Sequence, residues 1–201
     1  MENTNDEKGD ICANNKSQIT ESKPIEEIIN TNDIINFISS KLNSIIQNNK
    51  IMRMKQSRGP NEPFFSRNIP ALNIYEYLIR IIKYTECENN TLIISYLYIL
   101  RLINKENFIL GINNIYRLLL GAVVLAKKVL EDIRFNNSYY CLIGGITNIE
   151  LNQIEYSLFV RIDFNVNMGK KDLDKIYEEI YSNLPQSRLN EIQKEVTEKT
   201  K

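Results

Sequence analysis

Apolar and polar residues alternate with a helical period along residues 24–48. The apolar positions are Ile25, Ile28, Ile29, Ile34, Ile35, Ile38, Leu42, Ile45 and Ile46. Pro24 opens the segment, and Glu26 and Glu27 stand near the end at which a helix dipole is positive. The pattern therefore predicts an N-terminal helix over residues 24–48.

Helical spacing returns after Pro70 and continues through most of the chain. It predicts helices over residues 73–84, 91–103 and 113–130, a short segment over 137–142, and a helix that begins at Thr147. Asn90 or Thr91 is the expected N-cap of the second of these helices. Thr147 and Glu150 have the spacing of a capping box, which is a fairly specific start signal. No strand alternation or βαβ pattern is present, so the chain is expected to be all-α.

The helix over residues 113–130 differs from its neighbours because it is apolar on every side. Its residues 118–126, LLLGAVVLA, include no polar side chain. A helix without a polar face is expected to be surrounded by other helices. This pattern predicts a buried central helix with four or five helices around it.

The two ends of the chain and one internal segment differ from this pattern. Residues 1–23 are polar, with few large apolar groups, and are expected to be disordered. Residues 49–69 are rich in proline and are expected to form a linker. Residues 169–201 are expected to hold one short helix over 170–182, with Leu173, Ile176, Tyr177 and Ile180 on one side, followed by Pro185 and a charged tail.

Composition and charge exclude several classes of function. With 25 basic and 25 acidic residues the formal net charge is zero, which argues against a general nucleic-acid binder. Histidine is absent, and the three cysteines lie far apart, so no His-based catalysis, metal site or disulfide framework is predicted. No glycine-rich phosphate loop is present, and no apolar run reaches the ~20 residues of a membrane span. We expect a non-enzymatic, soluble protein of the cytoplasm or nucleus, with no cofactor.

Four charged residues at the end of the apolar helix require an explanation. Lys127 and Lys128 are followed one turn later by Glu131 and Asp132. In one interpretation, the lysines suit the helix C-terminus and form two exposed pairs, Lys127 with Glu131 and Lys128 with Asp132, worth roughly 0.3–0.5 kcal/mol each. In the other interpretation, some of these charges face a partner.

Glu155 raises the same question on the helix that begins at Thr147. It falls near the middle of the apolar stripe formed by Leu151, Leu158 and Ile162. An unpaired buried charge is very costly, so Glu155 must be paired, lie in contact with solvent, or face a partner. Tyr139 or Tyr140 is a possible internal partner.

The order of these motifs resembles the cyclin box of the Pho-type (P/U-type) cyclins. In that family an apolar helix ends in Ala-x-Lys-x-x-x-Asp, and an aromatic, Asn-rich segment and a Gly-Gly-Ile turn follow. The next helix carries Leu-Asn-x-Leu-Glu and then an Asp-Phe pair. The matching residues are Ala126, Lys128, Asp132, residues 136–140, Gly144, Gly145, Ile146, Leu151, Asn152, Ile154, Glu155, Asp163 and Phe164. Residues 69–102 match as well, and the resemblance covers about residues 65–167.

The resemblance implies one five-helix cyclin box over residues 70–168 and a site that binds a cyclin-dependent protein kinase. By resemblance, Lys128 and Glu155 bind the backbone around the αC helix of the kinase. Lys127 keeps the pairing with Glu131 that the first interpretation gives it. Asp132, with Glu131 beside it, takes the position of the acid that pairs with an arginine of the kinase activation segment. The remaining contacts implied are apolar and come from Leu125, Val129 and Phe164.

The implied function is that of a regulatory subunit that binds a cyclin-dependent kinase and stabilises its active conformation. The alternative is a cyclin-fold adaptor for a non-kinase partner such as the transcription machinery. One departure from the family concerns the second helix of the box, where many cyclins have Asp-Arg and this chain has Leu100–Arg101. Arg80 is therefore expected to lack its usual acidic partner, for which Glu76 could substitute.

Overall fold

Nine helices make up the regular structure within residues 24–49, 62–133 and 135–198, the part of the chain that our computed structural model describes. They are α1 (Ile25–Ile28), α2 (Thr31–Asn48), α3 (Ile74–Thr85), α4 (Asn89–Glu106), α5 (Ile115–Leu130), α6 (Asn137–Gly144), α7 (Asn148–Arg161), α8 (Lys170–Ser182) and α9 (Gln186–Glu198). No strand occurs in these ranges, which confirms the all-α prediction. The tail predicted over residues 1–23 and most of the linker predicted over 49–69 lie outside the described residues.

The N-terminal helix is interrupted, contrary to the single helix predicted over residues 24–48. The short helix α1 ends at Ile28, its C-cap residue Ile29 has an extended backbone (φ −82°, ψ 122°), and α2 begins at Thr31. The apolar spacing already indicates this break. Ile29 and Ile34 are five positions apart, whereas apolar residues on one face of a helix recur every three or four positions. The polar residues between them favour helix starts over helix interiors, since their side chains compete for backbone hydrogen bonds.

The central helix is α5, as predicted. Of its 16 residues, the 12 buried ones include every residue from Leu118 to Lys127. It packs against α3, α4, α6 and α7, and these five helices are the five expected for the box. A Cβ atom at Gly121 would collide with the side chain of Ile154 on α7, so only glycine allows this close approach. The position of α7 against α5 therefore depends on the absence of a side chain at residue 121.

Two capping boxes fix the starts of α3 and α7. Asn73 accepts a hydrogen bond from the Glu76 N–H, and its own N–H donates to the Glu76 carboxylate. Thr147 and Glu150 form the same reciprocal pair at the start of α7, as predicted. At α4 the prediction was wrong, because the N-cap position is Glu88 rather than Asn90 or Thr91, and the Glu88 side chain makes no capping bond.

The described residues fall into two compact units, one formed by residues 31–173 and the other by residues 24–30 and 174–198. The helix α8 has the predicted bounds, but residues 186–198 of the smaller unit form the helix α9 instead of the predicted charged tail. Leu189 and Ile192 are one turn apart, and Ile192 is 1% exposed. Pro185 just before the helix start and this apolar pair were the available signals for α9.

We expect Gly121→Ala to lower the free energy of unfolding by about 1–3 kcal/mol, because the added methyl group overpacks the contact between α5 and α7. Denaturant unfolding followed by far-UV circular dichroism measures this change. Gly169→Ala is the matched control, since a Cβ atom there meets only the Asp172 carboxylate, at 3.6 Å. Equal effects of the two substitutions would contradict the close approach at Gly121.

Candidate functional site

Lys128 and Glu155 lie side by side, although 26 residues separate them in the sequence. The Lys128 Nζ atom is 2.7 Å from Oε1 and 2.8 Å from Oε2 of Glu155. The lysine side chain is 32% exposed and the glutamate side chain 12%. The structure thus pairs Lys128 across the interface between α5 and α7, and not with Asp132 as the local pairing scheme predicted.

Asn137 is a third member of this cluster, and the sequence analysis missed it. Its side-chain amide donates to Glu155 Oε2 at 3.3 Å and to Asn152 Oδ1 at 2.8 Å. Asn136 places it there by capping α6, since the Asn136 side chain accepts from the Tyr139 N–H at 2.9 Å. The sequence alone does not show which of the two neighbours, Asn136 or Asn137, forms the hydrogen bond with Glu155.

The tyrosines suggested as partners of Glu155 have other roles. The Tyr139 hydroxyl donates to the backbone carbonyl of Tyr84 at 2.9 Å, which ties α6 to the end of α3. The Tyr140 hydroxyl accepts from the Phe135 N–H at 3.4 Å. Glu155 is therefore held by a cation and an amide, and the proposed tyrosine pairing was wrong.

The pair keeps some hydrogen-bonding capacity for a partner. An ammonium group has three donors, and Lys128 uses two of them on Glu155. A carboxylate has about four acceptor sites, and Lys128 and Asn137 fill three of them. Within the part of the chain that the structure describes, this leaves one donor of Lys128 and one acceptor site of Glu155 next to each other at a partly exposed position.

Lys127 and Glu131 form a second ion pair, and this one is internal. Their side chains are only 2% and 9% exposed. The predicted pair is therefore present, but it is buried and not exposed as predicted. The Glu131 carboxylate also accepts from the Thr91 hydroxyl at 2.6 Å and from the Glu88 N–H at 3.1 Å. Glu131 thus accepts from the N–H of the N-cap residue itself and from the Thr91 hydroxyl, which ties the end of α5 to the start of α4. In the sequence analysis it belonged to the kinase-binding set, but its carboxylate is occupied by these internal donors.

The same contacts determine the pKa of Glu131. Burial alone would raise the pKa, but hydrogen bonds from Lys127, Thr91 and the Glu88 backbone outweigh it and hold the pKa below its ordinary value. A carboxyl group with a lowered folded-state pKa stabilises the fold above its unfolded-state pKa. That contribution is lost as the pH falls through the folded-state pKa.

The other predicted contacts differ in exposure. Leu125 is 8% exposed, so it offers little surface, whereas Val129 is 40% and Phe164 57% exposed. Asp132 follows the end of α5 and is exposed. The Phe164 ring packs edge-on against Phe159, with 4.9 Å between the ring centres.

Arg80 has partners other than the acid expected from the family. Its Nε atom donates to the Ile143 carbonyl at 3.2 Å, and its guanidinium lies 5.6 Å from the centre of the Tyr84 ring. Glu76 cannot substitute for the missing aspartate, because its carboxylate closes the capping box with Asn73. Arg80 therefore joins α3 to α6 without an ion pair to Glu76.

Little in the described part of the chain suggests catalytic or metal chemistry. No group of three or more acidic or cysteine side chains there could hold a metal ion. Cys87 and Cys141 are buried free thiols, and burial raises the pKa of Cys87 to about 11, so this thiol stays protonated. None of the helices we describe combines the length and hydropathy required of a membrane span.

Comparison with known proteins identifies the family. The sequence model of the cyclin family matches residues 2–166. The chain is 34% identical over 140 residues to Cyclin-U1-1 of Arabidopsis thaliana, across 68% of this chain and 66% of the relative. It is 38% identical over 105 residues to Cyclin-U3-1 of the same plant, across 52% of this chain and 48% of the relative.

A fungal protein is similar to the same extent. The "PHO85 cyclin-like protein psl1" of Schizosaccharomyces pombe is 37% identical over 112 residues, across 55% of this chain and 46% of the relative. The matched regions thus span about half to two thirds of the length of these relatives. Because the family match covers most of the chain, the protein belongs to the cyclin family, within its Pho-type (P/U-type) group.

We expect Glu131→Gln to lower the free energy of unfolding at neutral pH by about 2–4 kcal/mol, because it leaves the buried ammonium of Lys127 without a counter-ion. Asp132→Asn is the matched control, since it removes an exposed carboxylate one residue further along and should change stability by less than about 0.5 kcal/mol. Denaturant unfolding of both variants measures the difference. If the two variants were equally stable, Glu131 would not hold the end of α5.

The pH dependence of stability gives a separate test of the same pair. The difference in free energy of unfolding between the wild type and Glu131→Gln should be largest at neutral pH. It should decrease as the pH falls through the folded-state pKa of Glu131. Below that pKa, the protonated glutamic acid is as neutral as glutamine. Unfolding curves recorded at a series of pH values measure this. A difference that stayed constant down to strongly acidic pH would contradict the lowered pKa.

Proposed function

We propose that this protein is a regulatory, non-catalytic subunit that binds a cyclin-dependent protein kinase and stabilises its active conformation. The observation that carries the proposal is the bidentate contact between Lys128 and Glu155 at a partly exposed position. Membership of the cyclin family, with relatives that are themselves named cyclins, supports it.

The physical reason concerns the αC helix of the kinase. A protein kinase is active when the glutamate of αC pairs with the ATP-binding lysine and the activation loop is ordered. A rigid surface that binds only this arrangement shifts the kinase population toward it. In this proposal the remaining donor of Lys128 binds a backbone carbonyl next to αC, and the remaining acceptor of Glu155 binds a backbone N–H.

Asp132 would make the second contact. It is exposed just after the end of α5, four residues beyond Lys128, so one helix end presents both residues. By resemblance to Pho-type cyclins, Asp132 pairs with an arginine of the activation segment and orders that segment without its phosphorylation. Glu131 supports this contact indirectly in the proposal, because it fixes the end of α5 to the start of α4.

Binding would strengthen the charge pair. An exposed ion pair is worth at most about 1 kcal/mol, whereas charge pairs excluded from water at interfaces have coupling energies of about 1.5–7 kcal/mol. Val129 and Phe164 are exposed apolar side chains that could exclude water around the pair. In the proposed interface, the charged pair at the centre therefore fixes the position of the kinase, and the apolar side chains around it provide most of the affinity.

We expect the exchange Lys128→Glu with Glu155→Lys to weaken kinase binding at least about 30-fold, because the partner's carbonyl and N–H would each meet the wrong group. The exchange keeps an ion pair between α5 and α7, so helical circular dichroism and stability should change little. Titration calorimetry with a cyclin-dependent kinase that co-purifies with the wild-type chain measures the affinity.

The matched control is Arg117→Ala. Arg117 and Glu150 form an ion pair between the first turns of the same two helices, with side chains 21% and 34% exposed. Its loss should leave kinase affinity unchanged. If binding survived the charge exchange, or fell equally in Arg117→Ala, Lys128 and Glu155 would not be the binding residues.

Affinity purification from native cells, followed by mass spectrometry, tests the function itself. A cyclin-dependent kinase among the bound proteins supports the proposal. If purification recovered other proteins but no kinase, the protein would instead be a cyclin-fold adaptor for a different partner.

A further inference from the structure

The Glu155 carboxylate has two ligands of different kinds. The Lys128 ammonium lies 2.7 and 2.8 Å from its two oxygens, and the Asn137 amide donates to Oε2 at 3.3 Å. The lysine supplies most of the attraction, because it carries the opposite charge and makes the shorter contacts. The two ligands also differ in how well they fix the direction in which the carboxylate points.

Lys128 alone fixes this direction poorly. An ammonium group is a compact charge on a flexible stem, and its donors rotate to follow an acceptor. The Lys128 side chain is 32% exposed, so it has room to follow Glu155 from one rotamer to another. Glutamate itself loses much rotamer freedom when it is ordered. An ion pair between two such side chains therefore persists even while the carboxylate turns.

Asn137 constrains the carboxylate because both of its amide N–H groups are engaged. One donates to Glu155 Oε2 and the other to Asn152 Oδ1, at 2.8 Å. Asn152 and Glu155 are three positions apart on α7 and so are neighbours on one face of that helix. Since hydrogen bonds weaken steeply with misalignment, the amide plane cannot rotate without loss of one of the two bonds. Asn137 thus holds the carboxylate from a second helix, α6.

The helix α6 gives Asn137 a fixed starting point. The Asn136 side chain caps the helix by accepting from the Tyr139 N–H at 2.9 Å. The Tyr139 hydroxyl donates to the Tyr84 carbonyl, also at 2.9 Å, which attaches the first turn of α6 to the end of α3. Asn137 lies between these two anchoring residues, and its side chain is short, so its amide has little freedom to move.

We propose that Asn137 is a positioning residue of the proposed kinase-binding site, which holds the Glu155 carboxylate in the orientation that receives a backbone N–H of the kinase. This inference rests on the proposed function. Lys128 supplies the attraction, Asn137 supplies the direction, and Asn152 keeps Asn137 in place. Because the orientation is set before the partner arrives, less ordering is needed on binding.

Asn137→Ala removes both N–H groups and tests this role. Titration calorimetry with the co-purifying cyclin-dependent kinase should show an affinity lower by about 3- to 10-fold, the effect of one hydrogen bond. Far-UV circular dichroism and the midpoint of denaturant unfolding should change little, because water reaches the partly exposed Glu155 carboxylate and replaces the lost bond.

Asn137→Asp separates a positioning role from a structural one. Aspartate has the shape of asparagine and suits the first turn of a helix, so a residue that only stabilised α6 would tolerate aspartate better than alanine. Aspartate cannot donate to Glu155, however, and its charge repels that carboxylate and competes for Lys128. The positioning role therefore predicts the reverse order of affinities, with Asn137→Asp weaker than Asn137→Ala.

Ser138→Asp is the matched control for the added charge. It places the same charge one residue further along the first turn of α6. Its carboxylate can still accept from the Asn148 amide, as the Ser138 hydroxyl does at 3.0 Å. The affinity for the kinase should stay at the wild-type value. Equal losses in Ser138→Asp and Asn137→Asp would overturn the inference.

A double-mutant cycle shows whether Asn137 acts through Glu155. Adding Asn137→Ala to Glu155→Ala should cause no further loss of affinity, since the carboxylate that Asn137 orients is already absent. In the free protein, Glu155→Ala should also shift a side-chain amide proton resonance of Asn137, assigned by its absence from the spectrum of Asn137→Ala. Additive losses in the cycle, or an unchanged resonance, would contradict the role.

The outcomes separate the two proposals. If the exchange of Lys128 and Glu155 abolishes kinase binding but Asn137→Ala binds as tightly as the wild type, only the inference about Asn137 is overturned. The same holds if Asn137→Asp binds better than Asn137→Ala. If the wild type binds no cyclin-dependent kinase, the proposed function fails and the inference fails with it.

Discussion

The close contact between α5 and α7 brings the charges of Lys128 and Glu155 together. It exists because Gly121 has no side chain where Ile154 approaches. Glu155 follows Ile154 by one residue, and Lys128 lies two turns beyond Gly121 on α5. A change in the spacing of these helices would therefore separate the ammonium from the carboxylate. The apolar sequence of α5 provides the stiffness, since a helix buried on all sides has little freedom to shift.

The adjacent residues Lys127 and Lys128 have different roles. Lys127 is 2% exposed and completes an internal cluster with Glu131, whereas Lys128 is 32% exposed and lies at the surface. A helix rotates about 100° per residue, so neighbouring positions face different surroundings. One lysine therefore stabilises the fold by joining α5 to the start of α4, and the other pairs with Glu155 at a partly exposed position. The first determines the orientation of the helix end that carries the second.

The elements that could be predicted from the sequence are those with local causes. The capping box of Thr147 and Glu150 and the apolar length of α5 involve residues close in sequence, and the structure has both. The N-cap of α4 could not be predicted, because Glu88 makes no side-chain capping bond and its own N–H donates to Glu131, 43 residues along the chain. The same applies to Lys128: a rule based on spacing selects Asp132, whereas tertiary packing selects Glu155. The backbone after α7 gives no local signal either: Asp163 and Phe164 both have φ = 57°, and left-handed backbone is usually marked by glycine.

If the proposed function holds, the mutual pairing of Lys128 and Glu155 has a consequence for how a partner is recognised. Since the two opposite charges are in contact, their fields largely cancel a short distance away, and the chain as a whole has no net charge. Long-range attraction, which accelerates the encounter of oppositely charged proteins, is therefore weak here. Partners would be distinguished after collision, by whether they supply a hydrogen-bond donor and acceptor at the spacing of this pair. Selection at that stage acts on the lifetime of the complex more than on its rate of formation.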